Sequence, residues 1–435
     1  MDQFKNISRR HFLGTSILGA AGISLLPQIS FSKISANDKL NIGVIGLGRQ
    51  SQGLTNAFLN MPGVEVVAGC DVYGVKRQRF EQKVKQHYAE NKKKSKVKIY
   101  ENYQELLNRK DIDAVVIVTP DHWHALIAIE ACKAGKDIYL EKPLTFTIKE
   151  GQELVKAVRQ NNRILQVGSQ QRSGRGFQHA VKLVQDGKIG NIERINAHVG
   201  GPPTPYDLPE EEIPSDLNWN LWLGPSPYVH YNSQLNPPIS LNPPENEKIW
   251  GAWRWYKELG GGLTTDWGAH MFDIAQWALG KDGSGPVEII PAGYQDFDYL
   301  TYRYDNGVVM TERPFNEQQT KGVKFWGSDG WIEVSREFFK ASDPSLNLPE
   351  ISEEETAKLR NAHQVNFIES VRSRKDPIVP VEVGHSTCTV CTLGNIAYEL
   401  ERPIKWDPQQ ENFVNDPEAE QHFHRPYREG YALTS

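Results

Sequence analysis

From Leu40 to about Gln170, short apolar runs alternate with longer stretches of helical character. The apolar runs are residues 41–45, "VEVVAGCD" ending at Asp71, "IDAVVIVTP" ending at Thr119 and Pro120, "KDIYLEKPL", and "RILQVGSQ". Their central residues lack the polar alternation of a half-exposed strand, so they predict strands buried on both faces. The stretches between them, among them "DHWHALIAIEACKAG" and "TIKEGQELVKAVRQNN", predict helices. Alternation at this spacing predicts a mostly parallel sheet with helices on both faces.

Beyond this region the pattern changes. Residues 200–254 are rich in Pro, Asn, Trp and Tyr, as in "GPPTPY", "WNLWLGPSPYVHYN" and "NPPENEKIWGAWRWY". Such punctuation predicts a long insertion in a second domain. A helix is expected from Thr264 or Thr265 through "DWGAHMFDIAQWALG". "FDYLTYRYDNGVVMTER" and "GVKFWGSDGWIEV" read as hairpins, with Asp-Asn-Gly and Gly-Ser-Asp-Gly in their turns. "AHQVNFIESVRSRKDP" and "HSTCTVCTLGNIAYEL" read as helices.

The 435 residues suit two domains after a short leader. Arg9 and Arg10 precede an uncharged apolar run from Phe12 to Leu26, a charged region followed by a hydrophobic one. The run is too short for an ordinary membrane span. With Phe12 and Leu13 the arginine pair resembles a twin-arginine signal, which implies the twin-arginine export machinery as a partner and a periplasmic or otherwise exported protein. The expected organisation is a signal at 1–36, a dinucleotide-binding domain at 37–168, and a substrate and oligomerisation domain at 169–435 with its insertion at about 200–254.

The formal net charge of -5, with no basic half, excludes an extended nucleic-acid surface. Lys92, Lys93, Lys94, Lys96 and Lys98 read as a solvated loop. Four scattered cysteines make no disulfide framework. Cys388 and Cys391 form one CxxC within a helix, where packing is favoured over metal or redox work. A disulfide there after export is left open.

The first strand runs into Gly46, Leu47 and Gly48, and a helix follows near Arg49 and Gln50. This is the context a dinucleotide fingerprint requires. Gly46 permits the tight turn, Gly48 lets backbone approach a pyrophosphate, and the helix start offers N–H groups to phosphate. Ser51 stands where the third glycine is expected. Asp71, closing the next strand, is placed to accept from the adenosine ribose hydroxyls and to repel a 2'-phosphate. NAD is therefore favoured over NADP, although Lys76 and Arg77 follow closely. Ligands in such sheets bind beyond the carboxyl ends of the strands, where Thr119-Pro120 and Glu141-Lys142-Pro143 lie.

Hydride transfer from a secondary alcohol needs a base for the hydroxyl proton and a donor for the developing alkoxide. Lys142 is the expected donor. Asp266 and His270 are four apart on the later helix, which suggests a base, His270, with Asp266 as its supporting or substrate-contacting group and both on the substrate side; Asp273 is the other possible orienting carboxylate. Trp253, Arg254 and Tyr256 directly precede this helix and are the substrate-side candidates, whereas Trp219 and Trp222 are expected to pack the insertion. His122 and His124 lie two apart around a helix start and do not share a face, so no metal is expected there or at His422 and His424.

"IGVIGLG", "VTPDHWHA", "YLEKPLT" and "GGGLTTDWGAHMFD" together resemble the glucose–fructose oxidoreductase / inositol dehydrogenase / rhizopine-catabolism family, in its secreted bacterial branch. The resemblance implies a Rossmann domain followed by an α+β domain with a large, mainly antiparallel open sheet that often makes subunit contacts, hence a homo-oligomer. It implies a nicotinamide in the cleft between the domains and a lysine at Lys142 beside the reacting carbon, often before a cis proline bond. It puts the Pro120–His124 loop near the nicotinamide, which makes Thr119, Pro120, His122, His124 and Glu141 cofactor-side candidates. Its substrates are sugars, polyols and their derivatives. Export then favours a tightly bound cofactor recycled within one turnover, in a redox enzyme or in a glycosidase that oxidises transiently. A carbohydrate-binding relic with a decayed cofactor site is the non-enzymatic alternative.

Overall fold

The computed structural model describes residues 39–433, except 243–246, 248–249 and 360. The leader reading at 1–36 lies outside them. Six strands form the first sheet: β1 (Leu40–Ile45), β2 (Val64–Cys70), β3 (Lys98–Tyr100), β4 (Ala114–Ile117), β5 (Asp137–Leu140) and β6 (Leu165–Val167). All pairings are parallel, in the order β3-β2-β1-β4-β5-β6. The chain order reverses direction between β1 and β4, and that crevice is where such sheets take ligands.

Apart from the edge strand β3, the strands are largely buried on both faces because the helices between them present apolar stripes. Helix Arg49–Leu59 buries Leu54, Ala57, Phe58 and Leu59. Helix Ile148–Gln160 begins at a capping box in which the Thr147 and Glu150 side chains each serve the other's backbone, and it buries Leu154, Ala157 and Val158. Helix Asp121–Lys133 is buried almost throughout. Chain from beyond residue 200 covers its outer side, where Trp123 Nε1 donates to the Leu221 and Trp222 carbonyls.

Nine strands form the second sheet: β7 (Ile192–His198), β8 (Glu288–Ile290), β9 (Thr301–Arg303), β10 (Val309–Thr311), β11 (Gly322–Gly327), β12 (Gly330–Ser335), β13 (Phe339–Ala341), β14 (Ile404–Asp407) and β15 (Asn412–Phe413). Their order is β13-β12-β11-β7-β10-β9-β8-β14-β15, antiparallel apart from β7 with β10. The two hairpins read from the turns are β9–β10 and β11–β12.

One face of this sheet, with Ile195, Val323, Phe325 and Ile332, packs on helices Gly268–Ala278 and Val381–Leu400. The long helix Val381–Leu400 serves both cores. Cys391 packs in the second core, whereas Cys388 packs with Leu144 and Val167 in the first. Both cysteines are free thiols. Burial pushes the Cys388 thiol up to about 11 and the Cys391 thiol well above its ordinary value, which leaves both unreactive. From Leu40 onward the described chain is one compact unit.

Candidate active site

A cavity of about 960 Å³ runs from the β1–β4 crevice into the space between the two sheets. This is at the upper end of ordinary ligand-site volumes. Its floor is the glycine turn. Gly46 has φ +87°, and a Cβ there would lie 2.6 Å from the Val118 carbonyl carbon and oxygen, so only glycine fits. A Cβ at Gly48 would meet nothing within 4 Å, so backbone at that point faces open cavity. Helix Arg49–Leu59 begins there with no side-chain cap, and its first N–H groups are free for an anion. Ser51 is accommodated because its hydroxyl donates to the Gly48 carbonyl at 2.8 Å. The Thr119 hydroxyl, which belongs to a cavity-lining residue, is buried without a partner. An open glycine cradle, an uncapped helix and an orphaned hydroxyl fit a bound dinucleotide.

Asp71 accepts from the Leu47 N–H at 2.7 Å and the Tyr73 N–H at 2.9 Å. Each carboxylate oxygen keeps a lone pair for a ribose hydroxyl. Pro120, Glu141 and Gln50 also line the cavity. Glu141 is buried and accepts from the Gln50 amide at 3.0 Å and the Gln170 amide at 3.3 Å. Burial raises its pKa, against the pull of Lys142 and Gln50.

The lysine and the later helix meet. Lys142 Nζ lies 2.6 Å from Asp266 Oδ1 and donates to the Asp266 carbonyl at 2.8 Å. The bond between Lys142 and Pro143 is cis. Arg254 Nε stands 3.6 Å from the same carboxylate oxygen, and its guanidinium stacks 4.3 Å above the Trp253 ring. Burial alone would raise the Asp266 carboxyl, but the charges of Lys142 and Arg254 overcome it and hold the group below its ordinary value.

His270 lines the cavity but does not pair with Asp266. The expected single helix is broken at Trp267 into Gly262–Asp266 and Gly268–Ala278, and the carboxylate is taken by Lys142 from across the cleft. Asp273 does not orient His270 either. It binds Arg172 through two contacts of 2.8 Å in a buried ion pair. The partner of His270 is Arg336, which sequence reasoning missed. Arg336 Nη2 lies 3.0 Å from His270 Nε2, and its guanidinium stacks on Trp267 at 4.7 Å. Gln171 lies against both, with its amide oxygen turned to Arg336 at 2.9 Å. Burial, then Lys142 and Arg336, push the His270 pKa well below its ordinary value, so the imidazole is neutral.

Three more expectations are corrected. His122 does not line the cavity. It is buried between the carbonyls of Leu259 and Trp222, 3.1 and 3.0 Å from its ring nitrogens. His124 sits likewise between Pro143 and Thr119, at 2.7 and 3.0 Å. Both hold the second domain or the strand exits in place. Burial drives their pKa values down to about 3 and about 4. Tyr256 packs its ring on Tyr206, centroids 5.2 Å apart, and does not line the cavity, whereas Trp253 and Arg254 do. Trp219 and Trp222 stack at 4.5 Å inside the insertion, and Trp222 also reaches the cavity wall.

Asp121 was also missed. It opens helix Asp121–Lys133, is buried, and lines the cavity. Burial pushes it up to about 7, against the attraction of Arg254. A carboxyl at a strand exit beside Thr119-Pro120 was the available signal. His424 bonds Thr147 at 3.2 Å, outside the cavity.

Known proteins agree with this architecture. Residues 40–169 match the model of an oxidoreductase family's NAD-binding Rossmann fold, and residues 204–433 match that family's C-terminal alpha/beta domain. A glycosyl hydrolase family 109 protein of Shewanella pealeana is 30% identical over 207 residues, covering 43% of this chain and 44% of that protein. An inositol 2-dehydrogenase of Salmonella typhimurium is 28% identical over 217 residues, covering 47% of this chain and 62% of that protein. The chain thus spans about half the length of the curated relatives it matches. The WlbA dehydrogenase of Bordetella pertussis, solved with NADH and UDP-GlcNAcA, superposes with TM-score 0.60 at 18% identity, over 85% of this chain and 99% of that one. The scyllo-inositol dehydrogenase of Lactobacillus casei, solved with NAD(H) and scyllo-inositol, gives 0.56 at 16% identity, over 84% and 99%.

Proposed function

Because the chain belongs to the Gfo/Idh/MocA oxidoreductase family, we propose that it is an NAD-dependent oxidoreductase acting on a sugar or sugar derivative, with a tightly held cofactor recycled within each turnover. The observation that carries this reading is the 2.6 Å bond between Lys142 and Asp266, made across the cleft at one end of a cavity whose other walls are the glycine turn and Asp71. The bound nicotinamide would supply the hydride acceptor. The Lys142 ammonium donates to the reacting oxygen and steadies the alkoxide, while Asp266 fixes its direction. Neutral His270 takes the hydroxyl proton at Nε2 when the substrate oxygen replaces Arg336 there. Arg254 on Trp253 and Arg336 on Trp267 offer planar donors and ring faces to sugar hydroxyls and C–H groups. The Arg9-Arg10 pair supports export, and export makes recycling useful where free nicotinamide cofactor is scarce.

A second reading, redox-neutral glycoside cleavage, is favoured by Asp121. With a bound nicotinamide as transient hydride acceptor, a ketone would acidify the adjacent C–H; a base takes that proton, the departing alcohol gains one as its C–O bond breaks, and water adds to the resulting double bond before the hydride returns to the ketone carbon. A buried carboxyl pushed up to about 7 is matched to that donation at neutral pH. Incubation with a glycoside panel, followed by mass spectrometry of products and cofactor, tests both. Oxidised sugar paired with a reduced co-substrate supports the first reading, and free reducing sugar with no net NADH supports the second. No product of either kind from any sugar or glycoside contradicts both. Asp121→Asn is expected to remove a pH-rate limb near 7 in the second reading alone.

A further inference from the structure

Half of the cavity is walled by chain that does not belong to the first sheet's domain. Beyond Asp71 the wall combines Tyr103, Trp123 and Ile127 with Leu221, Trp222 and Tyr431. In an open doubly wound sheet this is the adenosine half of a dinucleotide groove.

Here two segments cover it, and both are bonded down. The first is the insertion. Gly74 N–H donates to the Asp216 carbonyl at 2.8 Å and Val75 N–H to the Asp216 carboxylate at 2.8 Å. The Asn218 amide donates to Glu101 at 3.0 Å, and buried Lys76 donates to Asn236. Trp123 Nε1 donates to the carbonyls of Leu221 and Trp222 at 3.1 and 3.0 Å. The second is the segment 425–431. Arg428 donates to the Gly224 carbonyl at 2.7 Å and to the Asn220 side chain and carbonyl at 2.9 and 2.8 Å. Arg425 is half-buried, with its guanidinium 3.7 Å above the Phe146 ring. Tyr431 then meets the Trp123 ring edge-on at 5.6 Å, and Trp123 meets Tyr103 at the same distance.

We propose that the segment 425–431 and the insertion around Trp222 and Asn236 form a clasp over the adenosine half of the cleft, so that adenine is enclosed among Trp123, Leu221 and Tyr431. This rests on the reading of the cleft as a nicotinamide dinucleotide site. A clasp slows release without touching the nicotinamide end, and it gives the recycling chemistry its physical basis.

The test is the release rate of labelled NAD from the full chain, chased with unlabelled NAD and read by rapid gel filtration. Removal of the edge-to-face ring contact predicts release about twofold to tenfold faster from Tyr431→Ala. Arg428→Ala is expected to act in the same direction, and Tyr431→Phe to release at the wild-type rate. Circular dichroism and melting temperature check that each variant is folded. NAD that binds but leaves wild type, Tyr431→Ala and Arg428→Ala at equal rates overturns the clasp alone. Failure of wild type to take up NAD even at millimolar concentration overturns the dinucleotide reading and the clasp with it.

Discussion

The two ends of the cleft are built from different kinds of residue. At one end, charges meet from opposite domains: Lys142, Asp266, Arg254 and the Arg336–His270 pair. At the other, aromatic rings and backbone carbonyls from Trp123, Trp222 and the 425–431 segment cover a groove, anchored by Arg428. The first arrangement can change the charge of a reacting oxygen. The second has no group aimed at chemistry, only surface and hydrogen bonds that enclose. Turnover and retention should therefore respond to different substitutions.

The largest expected effect lies at the charged end. Lys142→Ala should lower turnover by roughly 10²–10³-fold, the worth of one preorganised donor to a developing oxyanion. Steady-state kinetics with cofactor-loaded protein checks this, and an unchanged kcat would break the division between the two ends.

At the shared floor, Gly46→Ala should cost stability by roughly 1–3 kcal/mol, because it combines a positive φ with a clash against the Val118 carbonyl. Chemical denaturation reads it, and it should weaken cofactor binding as well.

The pH response sharpens the comparison, since the histidines that brace the cleft are buried and neutral. His122 and His124 have folded values of about 3 and about 4, against about 6.5 in the unfolded chain. As pH falls below about 6.5 the unfolded imidazoles bind protons that the folded ones refuse. Their contribution to stability is present in full above that pH and is lost progressively towards about 4. Denaturation midpoints measured between neutrality and pH 4.5 should fall, and variants with Gln at either position should lose part of that slope.

The smallest effect belongs to Tyr256. Its ring packs on Tyr206 outside the cavity, so Tyr256→Phe should leave kcat and KM within about twofold of wild type.

The parts of this account that could be read from the chain are those encoded locally. Buried strand runs, the Gly46–Gly48 turn and the Asp71 and Lys142 strand exits each announce themselves within a few residues. Spacing alone did not find the partner of Asp266, because a four-residue interval says only that two side chains share a face. It does not say that a lysine more than a hundred residues earlier takes the carboxylate, or that the helix breaks at Trp267. The family resemblance puts His122 and His124 near the cofactor, whereas each imidazole turns to backbone carbonyls. Arg336 follows an ordinary hairpin with no motif around it. Tyr431 gains its place only when the chain returns across the insertion, a contact that no periodicity records.

Nicotinamide absorbance followed during a single turnover tests the central claim most directly. Purified protein, freed of unbound cofactor and mixed with a sugar or glycoside it turns over, should show absorbance that rises and then falls while dinucleotide stays with the protein. Absorbance that accumulates in the filtrate as free NADH, in proportion to product, would contradict a cofactor enclosed and recycled in the cleft.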